Sequence, residues 1–202
     1  MTEPPTDQIP YRLRDGSEVR IRPIRPDDRE RMQAAFRRLS RESRYQRFLV
    51  STTQLTDEML DYLTEVDHHD HEALVALDAA TGEGVGVARY VRLEPGGDAA
   101  EAAITVIDDW QGRGLGTLLL ELLARRAMRE GVTRFRGTLL ARNTEIIDVL
   151  ERLAPVRVID RELGTVEIEV SLPSGIGTEL RELLRLASRR MEGEPTTPAP
   201  GG

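Results

Sequence analysis

Six consecutive residues, Gln111-Gly112-Arg113-Gly114-Leu115-Gly116, follow an apolar run from Ala102 to Ile107 and open a leucine-striped segment of helical period. Three glycines let the backbone curl so that successive N–H groups point into one hollow, at the positive end of a helix dipole. Such a hollow takes a pyrophosphate. Glycines between a strand and a helix can also be only a tight connection, so the loop by itself leaves both readings open. A second cluster, Asp67-His68-His69-Asp70-His71-Glu72, offers imidazoles and carboxylates of the kind that bind metals. Contiguous residues of one loop rarely converge on a single ion, and no second ligand cluster lies elsewhere in the sequence. The segment reads as a solvated turn, and no metal is expected. Cysteine is absent, which excludes disulfides, thiolate metal sites and a cysteine nucleophile.

The elements that must position the glycine loop alternate between strand and helix. Glu18 to Ile24 alternates with Val19, Ile21 and Pro23 on one face and Glu18, Arg20 and Arg22 on the other, which predicts a half-exposed first strand. Pro26 then starts a helix whose Met32, Ala35, Phe36 and Leu39 share a face. A short helical piece around Arg44 to Leu49 follows, then a helix capped at Thr56 with Met59, Leu60 and Leu63 inward. Ala73 to Leu77, Val85 to Leu93 and Ala100 to Ile107 read as strands. After the loop, Leu115, Leu118, Leu119, Leu122 and Leu123 mark a long helix that Gly131 ends. A strand at Phe135 to Leu140, a helix at Glu145 to Leu153, a hairpin of Val156 to Asp160 with Val166 to Leu172, and an amphipathic helix from Leu180 to Met191 complete the order.

Length and composition bound the class. With 202 residues and 39% hydrophobic content the chain suits one core, expected over residues 11–191, with residues 1–10 and 192–202 disordered. No apolar run approaches the roughly 18 residues of a membrane span, and the acidic, proline-containing start lacks the regions of a signal peptide. A cytoplasmic protein without membrane contact is expected. The formal net charge of −7 argues mildly against a nucleic-acid partner and is compatible with a cationic substrate. Every Lys-or-Arg position is arginine, because the chain has no lysine. The run Arg37, Arg38, Arg41, Arg44, Arg47 reads as a solvated helix face with its stems on apolar surface, and Trp110 as a packing residue. Whether the molecule dimerises is not legible.

This order of elements resembles the GNAT N-acetyltransferase fold: an α/β (α+β) domain with a mixed, mostly antiparallel central sheet, flanking helices and an acetyl-CoA cleft where the middle strands splay. The specific part is the family's Gln/Arg-x-x-Gly-x-Gly/Ala signature, matched by Gln111, Gly114 and Gly116, with Gly112 as an additional glycine. The resemblance implies acetyl-CoA as acyl donor, its pyrophosphate held by Gln111, Gly112, Arg113, Gly114, Leu115, Gly116 and Thr117, chiefly through their amides. It further implies that the backbone of Thr105 and Val106 pairs with the pantetheine arm as an added strand would. Asn143 stands where members of the family place an asparagine on coenzyme A; an N-cap or loop role is the other reading. Arg14-Asp15-Gly16-Ser17, Arg22-Pro23-Ile24-Arg25-Pro26-Asp27-Asp28, Glu42-Ser43-Arg44-Tyr45 and Ala100-Glu101-Ala102-Ala103 are similar to the acetyltransferase module of bacterial Pat-type protein lysine acetyltransferases. That likeness implies Glu101 as the catalytic carboxylate and a protein lysine as acceptor. The regulatory or synthetase-like domain joined to the module in those enzymes has no counterpart in this sequence.

A carboxylate is what such chemistry requires. An alkyl ammonium of pKa about 10.4 is free amine in about one molecule in 2,500 at pH 7, a cost of about 4–5 kcal/mol before attack. Without a cysteine to carry the acyl group, the transfer implied is direct, from thioester to amine, with Glu101 as general base. Strand alternation puts Glu101 on one face with Ala103 and Thr105, whose small side chains leave room for a substrate. Where many family members place a tyrosine as general acid, this sequence has Leu150, so no acid is assigned. A small-molecule amine acetyltransferase and a silent acetyl-CoA-binding sensor module are the alternative readings.

Overall fold

The computed structural model describes residues 9–48, 53–142, 147, 150, 154–162 and 164–172. Its strands are β1 (Ile9–Arg12), β2 (Glu18–Pro23), β3 (His71–Asp78), β4 (Gly84–Arg92), β5 (Ala99–Val106), β6 (Arg134–Leu140), β7 (Val156–Glu162) and β8 (Thr165–Ser171). Its helices are α1 (Arg29–Arg37), α2 (Arg41–Phe48), α3 (Asp57–Thr64) and α4 (Leu115–Arg129). The strands form one sheet in the order β1-β2-β3-β4-β5-β6-β8-β7, antiparallel throughout except for the parallel β5–β6 pair. A parallel neighbour needs a crossover, and the glycine loop with α4 supplies it. The expected mixed, mostly antiparallel single sheet is therefore the fold observed.

The sheet separates two helical layers. On one face α4 buries Leu115, Leu119, Leu123, Ala124 and Ala127 against the middle strands. Contact there is close enough that a Cβ on Gly86 would lie 3.0 Å from Leu119 Cδ1 and 3.3 Å from the Thr105 carbonyl oxygen. The opposite face carries α1 and α3, which bury Phe36, Leu60 and Leu63. Thr56 caps α3 as expected, its side chain accepting the Met59 amide.

Two features depart from the sequence reading. Ile9 and Pro10, assigned to a disordered start, lie in the edge strand β1, which pairs with β2 from Ile9↔Ile21 to Arg12↔Glu18. Arg22, placed on an exposed face, is 4% exposed. The chain folds back after Pro23, bringing Asp28 under the strand, and the carboxylate accepts both Arg22 terminal nitrogens at 2.6 and 2.7 Å and the Arg25 amide at 2.9 Å. Alternation counts residues and cannot see a carboxylate six positions away. The helix at Glu145 to Leu153 falls largely, and that at Leu180 to Met191 entirely, outside the described residues.

Removing one partner of a buried, bidentate pair strands the other charge. Asp28→Ala is therefore expected to lower unfolding free energy by about 3–5 kcal/mol, read from urea midpoints, whereas replacing the exposed Asp57 is expected to cost less than about 1 kcal/mol.

Candidate active site

The parallel contact between β5 and β6 lasts three register pairs, Ala99↔Arg134, Ala100↔Phe135 and Glu101↔Arg136, and stops. β5 runs on to Val106 and β6 to Leu140 without further pairing to each other, so a cleft opens at Glu101 and widens toward the glycine loop. The peptide groups that face it follow from the β4–β5 ladder. The Ile107 amide bonds the Val85 carbonyl at 3.1 Å and the Leu93 amide the Ala99 carbonyl at 3.0 Å, so the odd-numbered residues of β5 turn their peptide groups to β4. Ile104 and Val106 turn theirs to the cleft. This corrects the pantetheine expectation by one residue: Val106 stays on the open edge, but the backbone of Thr105 is committed to β4, and Ile104 takes its place.

Beyond β5, Trp110 is buried and anchors the loop, as a packing residue should. Gly112 and Gly114 adopt left-handed backbone angles, with φ of 73° and 87°. The first hydrogen bond of α4 runs from the Leu118 amide to the Gly114 carbonyl, 3.1 Å, which leaves the first-turn amides of Leu115, Gly116 and Thr117 pointing out of the helix end. A Cβ at Gly112 would meet nothing within 4 Å, so the loop is open at that residue. These groups fit a bound pyrophosphate. The Arg113 side chain is engaged elsewhere: it bonds the Asp109 carbonyl at 2.6 Å, pairs with Asp15 Oδ2 at 3.0 Å and lies over the Trp110 ring at 4.8 Å. What Arg113 can offer a ligand is thus its amide. Gln111 is a brace, its Nε2 donating to the Val106 carbonyl at 3.0 Å and to Ser43 Oγ at 3.3 Å. Asp108 extends that brace by accepting the Ser40 amide at 2.7 Å and the Ser43 hydroxyl at 2.8 Å. These bonds hold the Asp108 carboxyl below its ordinary pKa even though partial burial pushes the other way. Asn143 lies outside the described residues. Arg14, not singled out as a ligand residue from the sequence, brings its Nε to 3.4 Å from where a Gly114 Cβ would stand. Its adjacency to the loop follows from the β1–β2 turn, a tertiary contact that no local spacing shows.

Glu101 is exposed on β5, at the closed end of the cleft, opposite Val91. It shares its face with Ala103 and Thr105 and with Arg89 of β4, which is the cross-strand partner of Ala103. A cavity of about 630 Å³, including its mouth, lies between this face and the α1 side; Thr105, Arg89 and Arg47 are among its walls. Burial lowers the Arg47 pKa, and the Glu101 carboxylate pulls it back up. Burial and then the charge of Arg47 bring Arg89 down to about 10, which leaves it protonated at neutral pH. Arg89 donates to the Leu63 carbonyl at 3.0 Å and lies 3.0 Å from His71 Nε2. His71, whose ring is 5.0 Å from the Tyr62 ring and tilted 38° to it, is depressed to about 4 by burial and then by Arg89.

The histidine-rich turn splits rather than converging. His68 bonds the fully buried Glu72 at 2.7 Å, His69 bonds Glu130 at 2.7 Å, and His71 meets Arg89. The arginine run divides as well. Arg38 pairs with the exposed Glu83 and Arg44 lies over the Phe36 ring, whereas Arg47 turns into the cavity. Leu150 is buried in the core.

A sheet split beside a glycine-lined helix end, with a carboxylate at the closed end of the split, defines an acyl-CoA-dependent transferase. In agreement, the family model for the acetyltransferase (GNAT) domain matches residues 18–154, and the chain belongs to the GNAT acetyltransferase family, which uses acetyl-CoA as donor. It is 36% identical over 187 residues to the acetyltransferase Pat of Mycolicibacterium smegmatis, covering 91% of this chain and 56% of that protein, so it spans little more than half of Pat. It is 37% identical over 139 residues to acetyltransferase PA5475 of Pseudomonas aeruginosa, 68% of this chain and 74% of that one. The crystal structure of the GNAT domain of S. lividans PAT superposes with a TM-score of 0.76 at 32% identity, covering 85% of this chain and all of that one.

Two measurements check this geometry. Gly114→Ala places a side chain in a left-handed conformation and against Arg14; it is expected to cost about 1–2 kcal/mol of stability and to weaken coenzyme A binding at least tenfold by calorimetry. His71 titrates near 6.5 unfolded and about 4 folded, so between those values the unfolded chain binds the extra proton. Stability should then be whole above pH 6.5 and fall by about 1–2 kcal/mol as pH drops toward 4, because solvent screens the partly exposed ring. His71→Gln should flatten that part of the denaturation-versus-pH curve.

Proposed function

We propose that this acetyltransferase acts on the ε-amine of a protein lysine, that Glu101 is its general base, and that it works in the cytoplasm. The observation that carries the base assignment is the position of Glu101: it is the acidic side chain on the substrate face of β5 at the point where β5 and β6 part. The likeness of the Arg14–Ser17, Arg22–Asp28 and Ala100–Ala103 segments to Pat-type enzymes supports the lysine acceptor. So does the identity with Pat, within the half of Pat that the chain spans.

On this reading each part of the chain has one task. The amides of Gly112 to Thr117 hold the pyrophosphate, with the Arg14 guanidinium beside them, and the open edge at Ile104 and Val106 aligns the pantetheine arm. The donor supplies the activated acyl thioester. Ala103 and Thr105 leave space above β5 for the incoming amine, and Glu101 takes its proton, directly or through one water, as the nitrogen attacks the carbonyl carbon. The thiolate is a good leaving group and takes its proton from solvent, since the tyrosine position of other family members is the buried Leu150.

Coenzyme A release should be followed with acetyl-CoA and a panel of lysine peptides and small amines. Glu101→Gln is expected to lower kcat by about 10²- to 10³-fold while the acetyl-CoA dissociation constant moves less than threefold. Unaltered turnover would remove Glu101 from the mechanism, faster turnover of small amines would reassign the acceptor, and binding without turnover on any amine would favour the sensor alternative.

A further inference from the structure

Helix α3 buries Leu60, Leu63 and Thr64 and leaves Tyr62 outside, 56% exposed, the most exposed of the large apolar side chains among the described residues. Exposure of a single such side chain is ordinary; the setting of this one is not. Arg89 of β4 donates to the Leu63 carbonyl at 3.0 Å, and Arg29 of α1 pairs with Asp57 at 3.0 Å and with Asp61, so α3 is tied at both ends. The Tyr62 ring lies 5.0 Å from the His71 ring, and His71 is itself held with its Nε2 at 3.0 Å from Arg89 Nη1. Tyr62 thus stands on a fixed platform, amphipathic, with an apolar face open to a ligand.

The register connects that platform to the reaction centre. His71 pairs with Val91 and Val91 with Glu101, so the three side chains form one row on one face of the sheet. Two strand spacings of about 4.8 Å put the His71 backbone about 10 Å from that of Glu101, with the half-buried Val91 between them. The charges agree with this placement: Arg47 has both the Glu101 carboxylate and the Tyr62 phenol within electrostatic reach, and Arg89 has Tyr62. With two guanidiniums already near the ring, a further cation over it is opposed, and what the ring has to offer is its apolar face. A lysine carries a flexible stem of four carbons between its backbone and its amine. With the amine at Glu101, the stem crosses Val91 and the backbone end of the side chain comes to Tyr62. We propose that Tyr62 is a specificity residue for the acceptor, its ring packing against the methylene stem of a lysine and the adjoining peptide, so that long primary amines are taken in preference to short ones. The proposal rests on the reading of Glu101 as base and of a lysine as acceptor, and names the side chain that selects the stem. Tyr62 exchanges no proton and touches no reacting atom, so its contribution lies in binding.

The test compares an acceptor that has a stem with one that has none. Coenzyme A release by the full chain is measured at saturating acetyl-CoA with a lysine peptide and with methylamine. Tyr62→Ala is expected to raise KM for the lysine peptide at least tenfold, while kcat for the peptide, kcat/KM for methylamine and the acetyl-CoA dissociation constant each move less than threefold. Tyr62→Phe, which keeps the ring, should stay within threefold of the unaltered protein throughout. Alanine suits a helix interior, and urea midpoints verify that both variants fold. A peptide KM in Tyr62→Ala within threefold of the unaltered value would overturn the proposal and leave the Glu101 and lysine readings standing. Equal losses on methylamine and on the peptide would overturn it in favour of a structural role through His71 and Arg89. A loss in Tyr62→Phe as large as that in Tyr62→Ala would also overturn it, and would assign the hydroxyl instead of the ring. Failure of the unaltered protein to acetylate any lysine peptide would sink the acceptor reading itself, and the proposal with it.

Discussion

The separation of β5 from β6 after three register pairs is the constraint on which the rest of this structure depends. A continuous parallel ladder would satisfy the peptide groups of β5 and leave nothing for a ligand. Splitting it exposes polar backbone in the middle of a sheet, and such groups need partners. β8 pairs with β6 on its other side along its whole length, from Arg134↔Ser171 to Leu140↔Thr165, and so keeps it in the sheet after it leaves β5. β5 meets the demand in part with a side chain, since Gln111 reaches back to the Val106 carbonyl. The edge that remains has the hydrogen-bonding pattern of a missing strand, which is why an amide-bearing arm can lie there.

The glycine loop at the wide end of the split is held from two sides by elements distant in sequence. Asp15 in the β1–β2 turn pairs with Arg113; Ser40 and Ser43 at the start of α2 bond Asp108; and Ser43 also accepts from Gln111. Glycines lower the cost of left-handed angles, but they also enlarge the unfolded ensemble of the loop. Fixing the loop before a ligand arrives moves that ordering cost into folding, so binding energy is not spent on it.

How much of this was legible follows from the range of each signal. The glycine loop, the leucine stripe of α4, seven of the eight strands and the face shared by Glu101, Ala103 and Thr105 are written in residues near one another, and alternation or helical period reads them. The Thr105 assignment erred because side-chain alternation says which face a residue takes, while the direction of its peptide groups depends on ladder phase with β4. Arg22 was misread because its partner Asp28 returns through a turn. Arg89 and His71 passed unnoticed as site residues: one sits within a strand and the other in a histidine run that resembles a metal cluster, and only the register His71↔Val91 with Ala73↔Arg89 brings them together. The gap between local and tertiary signals is widest for charge in a cavity, which no short window contains.

The missing lysines acquire a physical meaning once the site is assembled. Arg47 and Arg89 stand within electrostatic reach of each other, and Arg47 of Glu101, in a wall that disfavours charge. Lysine amines in that wall would lose protons readily, because burial and a like-charged neighbour both favour the neutral form. A neutral amine beside a bound thioester is a nucleophile, so a lysine at position 47 would compete with the acceptor and end as an uncharged amide. Arginine escapes this: even lowered to about 10, Arg89 is protonated at pH 7, and its guanidinium keeps both its charge and its fork of donors. With no lysine in the 202 residues, the sequence offers this chemistry no ε-amine of its own.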